Sequence, residues 1–329
     1  MNRRLLGLVV LLVILRVGSA APEGAAQVAG TPIVTPDLPV TVTDATGTEV
    51  IVTDASRIVP LNGDVAEIVW ALGLGGNVVG VDVSATYPPE ETAPLPRIGY
   101  QRDLSAEGIL ALDPTVIVGT EDAGPPEVIE QIRTAGVPVV ILTSSPELDA
   151  IGGKIRDIAA ALGVAAAGEA LATKTQGEID AAIALAGEAD NAPRVLFLYV
   201  RGTATQMIGG AGTSADVMVA AAGGVNAAAE AGIEGFKPIT PEALVAAEPD
   251  VLLLLSAGLE SVGGVDGLLQ IPGVAETPAG QDRAVLDFDD LYLLGMGPRT
   301  GQALHDLVIG LHPELAELTE LAVATPGAG

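Results

Sequence analysis

The chain contains no cysteine, and only two of its 329 residues are histidine. The lack of cysteine excludes disulfides, thiolate metal sites and thiol catalysis in one step. His305 and His312 both lie near the C-terminus, and a zinc or manganese carrier needs several histidine and acidic ligands. Neither histidine has a serine or carboxylate arrangement that indicates a catalytic triad. We therefore expect a protein that is not an enzyme.

Basic residues are also scarce. The chain has 15 Lys and Arg residues and 42 Asp and Glu residues, which gives a formal net charge of −27. A surface this acidic repels nucleic acid and anionic lipid, so we expect neither as a partner. Such a surface suits a basic protein partner.

Long apolar runs are missing as well. Residues 5–15 form a short apolar run after a basic start, and Gly18-Ser19-Ala20 follows with small side chains. This pattern predicts a signal peptide over residues 1–20. The run is shorter than the roughly 20 apolar residues that a spanning helix needs. Since no cysteine is present for lipid attachment, we expect a soluble periplasmic or extracytoplasmic protein after cleavage.

Strand and helix patterns alternate along the chain after a flexible leader over residues 21–39, which predicts an α/β protein with mainly parallel sheets. Val40–Thr43 and Glu49–Val52 flank a turn and predict a hairpin. Apolar spacing predicts a helix over residues 64–72. An Ala-rich stretch over residues 165–188 has few breakers and predicts one helix of about 35 Å.

The second half of the chain repeats the first, since residues 104–118 resemble residues 239–253. We therefore predict two similar lobes joined by one long helix, with the ligand cleft between the lobes. The predicted boundaries are residues 40–163 for the N-terminal lobe, 164–190 for the linker helix, 191–320 for the C-terminal lobe and 321–329 for a tail.

A loop within residues 96–109 carries the main candidate for ligand chemistry. Tyr100 follows Gly99, and Arg102 lies two residues on. An extended segment would point Tyr100 and Arg102 to the same side. A phenolate can hold ferric iron, Tyr is a known axial heme ligand, and a nearby guanidinium favours the anionic form. From these residues alone, a Tyr packed on its neighbours beside an unrelated surface Arg stays the alternative.

Three segments, residues 98–109, Gly212–Asp216 and Leu293–Arg299, together resemble the substrate-binding proteins of ATP-driven importers. The string at residues 98–109 is similar to the hemin-binding branch in particular. The resemblance covers about residues 40 to 315. It implies heme as the transported ligand, Tyr100 as its axial and metal-binding ligand, and the permease of an ABC-type heme importer as partner. We expect a monomer that contacts the membrane only through that permease.

Further residues complete the predicted heme site. Arg201 and Arg299 are candidate partners of the heme propionates, because Arg pairs with carboxylates bidentately. Ordinary surface pairing is the alternative for both. Tyr292, Met296 and Phe236 are candidate cleft-lining residues, and core packing is the alternative for all three.

The resemblance also implies that one acidic residue in each lobe, Glu67 and Asp216, docks onto the permease. The sequence departs from the hemin-binding pattern at Ala211, where relatives often have a basic residue, and it offers no histidine for a second axial ligand. We therefore do not expect stacked hemes. An iron-siderophore or a corrinoid is the rival ligand, and a non-transport sensor or adhesion module is the rival outside the binding class.

Overall fold

A computed structural model describes residues 34–317. The predicted signal peptide, the leader up to residue 33 and the predicted tail at 321–329 lie outside the described residues. Within residues 34–317, no helix is both long enough and apolar enough to cross a membrane.

The N-terminal lobe has a parallel sheet of three strands. The strands of this half are β1 (Val40–Thr43), β2 (Glu49–Val52), β3 (Ile58–Pro60), β4 (Gly99–Tyr100), β5 (Asp103–Leu104), β6 (Val116–Thr120) and β7 (Val139–Leu142). Its helices are α1 (Gly63–Ala71), α2 (Pro89–Thr92), α3 (Ala106–Leu110), α4 (Pro126–Thr134) and α5 (Ala150–Ala161), with a 3-10 turn at Gly75–Asn77. The sheet order is β3-β6-β7, and β1 pairs with β2 in the predicted hairpin. All residues of β3, β6 and β7 are buried, as parallel strands covered on both faces should be.

The long linker helix is α6 (Ala165–Ala186), with 22 residues and a length of about 33 Å. This confirms the helix predicted from the Ala-rich stretch. The residue numbers at which each lobe ends stay predictions.

The C-terminal lobe has a mixed sheet of six strands. They are β8 (Arg194–Arg201), β9 (Thr205–Gly209), β10 (Val225–Asn226), β11 (Phe236–Pro238), β12 (Val251–Leu255) and β13 (Val285–Phe288). The helices are α7 (Ser214–Ala221), α8 (Ala227–Glu230), α9 (Pro241–Ala247), α10 (Ser256–Ser261), α11 (Gly264–Leu268), α12 (Pro278–Asp282), α13 (Asp290–Leu294) and α14 (Thr300–Leu311), before a 3-10 turn at Pro313–Leu315. The order is β11-β9-β8-β12-β13, with β10 on β8. Strands β8, β12 and β13 are parallel to one another. Strand β9 is antiparallel to β8, and β11 is antiparallel to β9.

Helix α6 is part of the core of both lobes. Its buried Ala172 and Ile179 belong to one continuous apolar cluster with Ile155 of α5 and Leu304 of α14. The packing against α5 is close, because a Cβ at Gly168 would lie 2.2 Å from the Cβ of Ala159. The α/β fold of two lobes joined by one helix is therefore as predicted.

Candidate ligand-binding site

The Tyr100 hairpin lies at the edge of the N-terminal sheet where β3 and β6 end. Asn62, which follows β3, is buried, and its Oδ1 accepts a hydrogen bond from the backbone N–H of Thr120 at 2.8 Å. Its side-chain amide donates to Gln101 Oε1 at 2.5 Å. The N–H of Gly124 donates to the carbonyl oxygen of Gln101 at 2.8 Å. The hairpin is thus fixed at the carboxyl edge, outside which open α/β sheets bind their ligands.

The conformation of the hairpin presents Tyr100 to solvent. Strands β4 and β5 place Tyr100 opposite Asp103, so the chain reverses at Gln101 and Arg102. Gly99 has a φ of +100°, and a Cβ there would lie 3.2 Å from the carbonyl oxygen of Asp103. Tyr100 keeps 47% of its surface exposed. The assumption of an extended segment from Tyr100 to Arg102 is wrong, because the antiparallel pairing requires a tight turn there.

Arg102 is engaged by an acid from the next loop. Its Nη2 lies 3.0 Å from Asp122 Oδ1, and the other carboxylate oxygen of Asp122 accepts a hydrogen bond from Ser144 Oγ at 2.6 Å. The ion-pair partner of Arg102 is therefore Asp122 and not the phenol of Tyr100. A heme-binding role of Arg102 stays a prediction.

An aromatic cluster lies on the C-terminal sheet. Phe197 of β8 and Phe236 of β11 both face Gly209 of β9, and their ring centroids are 6.4 Å apart. A Cβ at Gly209 would lie 2.8 Å from Phe197 Cδ1, so only glycine allows this contact across the strand. Tyr199, on the same face of β8, packs edge-on against Phe236 at 5.9 Å. Phe236 is 41% exposed, so the cluster offers an aromatic surface to a ligand.

Arg201 adds a cation to this aromatic surface. Its guanidinium lies 4.5 Å from the ring centroid of Tyr199 and forms an ion pair with Asp290. Burial raises the pKa of Asp290, while the charge of Arg201 opposes that rise. A cation beside an aromatic face fits a flat apolar ligand that bears carboxylates at its edge.

Tyr199 was missed in the sequence analysis. The signal that could have found it is the spacing Tyr199-Val200-Arg201, which repeats the Tyr-x-Arg spacing of Tyr100 and Arg102 in the other lobe.

Glu67 and Arg299 connect the two lobes. Arg299, the residue before α14, donates from Nε to Glu67 Oε1 at 3.1 Å and from Nη2 to Glu67 Oε2 at 2.9 Å. The guanidinium also stacks on Tyr87 at 3.6 Å and lies 5.0 Å from the ring centroid of Tyr292. Helix α1 begins at the carboxyl end of β3, and Arg299 follows the carboxyl end of β13. The contact therefore joins the segment that follows β3 to the segment that follows β13.

This contact bears on two predicted residues. Glu67 is 3% exposed and its carboxylate is bound to Arg299, and permease docking through Glu67 stays a prediction. The guanidinium of Arg299 is held by that same carboxylate, and its pairing with a heme propionate also stays a prediction.

Three more predicted residues have structural partners. Met296 is 3% exposed and packs in the core, and its assignment to the cleft lining stays a prediction. The hydroxyl of Tyr292 donates to Asp306 Oδ2 at 2.8 Å, and burial together with this bond raises the pKa of Tyr292. The carboxylate of Asp216 accepts bonds of 3.0 Å from the N–H of Gly212 and from Asn226 Nδ2. Docking through Asp216 stays a prediction.

The described residues offer no group of three or more His, Cys, Asp or Glu side chains that could hold a metal ion. His312 is buried and bonded to Asn191 and to the carbonyl oxygen of Ala222.

Comparisons with known proteins agree with this geometry. Residues 58–292 match the family model described as periplasmic binding protein. The periplasmic heme-binding protein RhuT from Roseiflexus sp. RS-1, solved in apo form, is 61% identical with a TM-score of 0.78, and the match covers 80% of this chain and 100% of that one. The periplasmic heme-binding protein BhuT, solved with two hemes, is 39% identical with a TM-score of 0.73 over 79% of this chain and 98% of that one. A cobalamin-binding protein of Halobacterium salinarum is 28% identical over 240 residues, which are 72% of this chain and 63% of that protein.

Proposed function

Because the chain belongs to the periplasmic binding protein family, we propose that it captures heme between its two lobes and delivers it to an ABC permease. The observation that carries the proposal is Tyr100, an exposed phenol fixed on a glycine-anchored hairpin at the carboxyl edge of the N-terminal sheet. Its setting outside the cytoplasm would follow from removal of residues 1–20 as a signal peptide.

The chemistry of ferric heme fits the residues on both lobes. The iron of ferric heme carries one net positive charge, which an anionic phenolate oxygen from Tyr100 neutralises in a cleft of low dielectric. The exposed ring of Phe236 and the ring of Tyr199 supply an apolar face for the macrocycle. Burial of that macrocycle stabilises the complex by about 25 cal/mol per Å² before the costs of association. Arg201 is the propionate partner in this arrangement.

A hemin titration tests the proposal directly. We expect a saturable change of the Soret band in the mature wild-type protein, with a high-spin spectrum of the tyrosinate type. Tyr100→Phe should lose that spectrum and bind more weakly, because the aromatic contacts remain while the iron ligand is gone. Tyr87→Phe is the matched control, since Tyr87 is similarly exposed and its ring stacks on Arg299. A wild-type protein without a saturable change, or a Tyr100→Phe protein with an unaltered spectrum, would contradict heme capture through Tyr100.

A corrinoid is the second candidate ligand, because one relative is a cobalamin-binding protein. The rim of a corrinoid carries neutral amides, which do not need the cation at Arg201. Titration with cyanocobalamin separates the two candidates. We expect no binding, and saturable binding of cyanocobalamin without binding of hemin would favour the corrinoid.

A further inference from the structure

The ion pair of Glu67 and Arg299 crosses from the N-terminal lobe to the C-terminal lobe. We propose that this pair, capped by the ring of Tyr87, holds the two lobes at a fixed separation and so sets the width of the ligand cleft. Glu67 and Arg299 are then positioning residues for a ligand that they do not touch themselves.

The geometry of the pair restricts both distance and angle. Two guanidinium nitrogens of Arg299 reach the two carboxylate oxygens of Glu67, and the backbone N–H of Arg299 adds a third bond to Oε1 at 3.3 Å. A bidentate pair of this kind has one preferred orientation. Gly297 lies next to the pair, since a Cβ there would be in ordinary van der Waals contact with Glu67 Oε1 at 3.4 Å.

Burial makes the pair costly to break. The side chains of Glu67 and Arg299 are 4% and 18% exposed. Removal of one partner leaves the other charge in a place that water barely reaches, which is strongly unfavourable. Separating the lobes by a few ångströms has the same consequence, so the pair opposes that motion.

The pair is linked by short paths to both halves of the proposed ligand site. On the N-terminal side, α1 carries Glu67 and starts next to Asn62, which holds the Tyr100 hairpin through Gln101. On the C-terminal side, Arg299 follows α13, which begins at Asp290, the partner of Arg201. A change in the pair therefore shifts the hairpin and the aromatic surface relative to each other.

A second ion pair on the same helix provides a matched control. Asp64 of α1 pairs with Lys154 of α5 at 2.5 Å, and these side chains are 16% and 11% exposed. Both residues belong to the N-terminal half. Loss of this pair should weaken the N-terminal lobe without changing the separation of the lobes.

The lack of cysteine makes the separation measurable. Glu127→Cys in α4 and Ala246→Cys in α9 place one exposed spin label in each lobe, and pulsed electron paramagnetic resonance then gives the distribution of the distance between them. The variants are Glu67→Gln, Arg299→Lys and Asp64→Asn, each checked for folding by circular dichroism. We expect a narrow distribution of the label-to-label distance in the labelled protein with Glu67 and Arg299 intact and in Asp64→Asn. Glu67→Gln should broaden it, and Arg299→Lys, which keeps the charge but loses the bidentate geometry, should broaden it less.

The proposal would be overturned if the distance distribution were as narrow in both Glu67→Gln and Arg299→Lys as in the protein with the ion pair intact. An equal broadening in Asp64→Asn would also overturn it, because the effect would then be general destabilisation. If Glu67→Gln does not fold, the comparison of Arg299→Lys with Asp64→Asn tests the proposal. A broader distance distribution in Arg299→Lys supports it, and equal distributions overturn it.

Hemin dissociation gives a second readout, which rests on the proposed function. Glu67→Gln should release hemin on the order of tenfold faster while the shape of its Soret band is retained, since differences between related complexes lie mainly in the dissociation rate. An unchanged rate would contradict a positioning role. If the wild-type protein binds no hemin at all, the proposed function fails, whereas the label distances still test the ion pair.

Discussion

The side-chain amide of Asn62 donates to Gln101 Oε1 at 2.5 Å, while its Oδ1 accepts the backbone N–H of Thr120 at 2.8 Å. One buried amide thereby ties the Tyr100 hairpin to the ends of two parallel strands. The placement of the proposed iron ligand depends on this amide rather than on the hairpin alone.

Asn62→Ala should lower the free energy of unfolding by about 1–3 kcal/mol, because the N–H of Thr120 is left buried without a partner. It should also weaken hemin binding, since the hairpin loses a tether. Urea unfolding and hemin titration measure the two effects. Asn77→Ala is the control, because Asn77 makes a single bond to the carbonyl oxygen of Ala55 away from the hairpin. Equal losses of hemin affinity in the two variants would contradict a special role of Asn62.

Gly209→Ala should disturb the aromatic surface. The added Cβ would lie 2.8 Å from the ring of Phe197, which is fully buried and has no room to move away. We expect a loss of about 1–3 kcal/mol in stability and a changed near-ultraviolet circular dichroism of the rings. Gly153→Ala in α5 is the control, and its effect on stability should have the opposite sign, because nothing lies within 4 Å of the Cβ that the substitution adds. It should stabilise the helix by roughly 0.5–1 kcal/mol. A Gly209→Ala protein as stable as wild type would show that the contact across β9 is not tight.

Asp290→Asn tests whether a ligand carboxylate takes the place of Asp290 on Arg201. With the competing carboxylate removed, hemin should bind more tightly by about 0.5–1 kcal/mol, the range of partly exposed ion pairs. Hemin dimethyl ester has no free carboxylate, so its affinity should not change. Titration of both compounds against both proteins measures the difference. Weaker hemin binding in Asp290→Asn would mean instead that Asp290 orients Arg201.

Asp82 gives stability a pH dependence of known sign. Its side chain is fully buried, and this burial raises its pKa. The Ser84 hydroxyl, 2.9 and 2.8 Å from the two carboxylate oxygens, donates its one hydrogen to the carboxylate and so opposes the rise. The folded protein therefore keeps this proton at a pH where the unfolded chain, with a pKa of about 3.9, has lost it. The contribution of Asp82 to the free energy of unfolding should fall as pH rises from that value through the raised pKa. Urea unfolding between pH 3.5 and 7 should show a shallower decline in Asp82→Asn than in the wild type, and the difference between the two profiles is the contribution of Asp82.

Asp44 is the converse case, and the same urea experiment extended below pH 3.5 serves as a control. Burial acts to raise its pKa, but hydrogen bonds from Thr46 and Thr48 and the charge of Arg133 lower it overall. Its contribution is present above the pKa of the unfolded chain and is lost as pH falls through the lowered value. Asp44→Asn should therefore remove a slope of the opposite sign. Identical pH profiles in the two variants would contradict both assignments.

Local patterns predicted much of the fold. The β1–β2 hairpin has alternating residues around a turn, and α6 is long, Ala-rich and free of proline, so both could be predicted from their own residues. Strands β9 and β11 were not predicted. Strand β9 pairs with β8 directly before it in the chain, whereas β11 pairs with β9 from beyond α7 and α8. The Tyr100 loop was found because glycine and proline mark it locally.

The partners of the site residues could not be predicted in the same way. Glu67 and Arg299 are 232 positions apart, and no period or motif joins them. With 42 acids in the chain, composition does not distinguish the buried Glu67 from those on the surface. Met296 shows the same limit, since neither its 3% exposure nor its backbone φ of +49° is indicated by the residues around it. The ion-pair partners and the burial of these residues depend on the tertiary structure, so the local sequence does not predict them.

Helix α6 bears on how the molecule unfolds. Because its buried residues complete an apolar cluster shared by α5 and α14, neither lobe can open fully without exposing part of the other. The two lobes should then behave as one cooperative unit. Amide hydrogens in the middle of α6, around Thr175 and Ile179, should exchange with solvent only through global unfolding, and a fragment that ends before α6 should not fold alone.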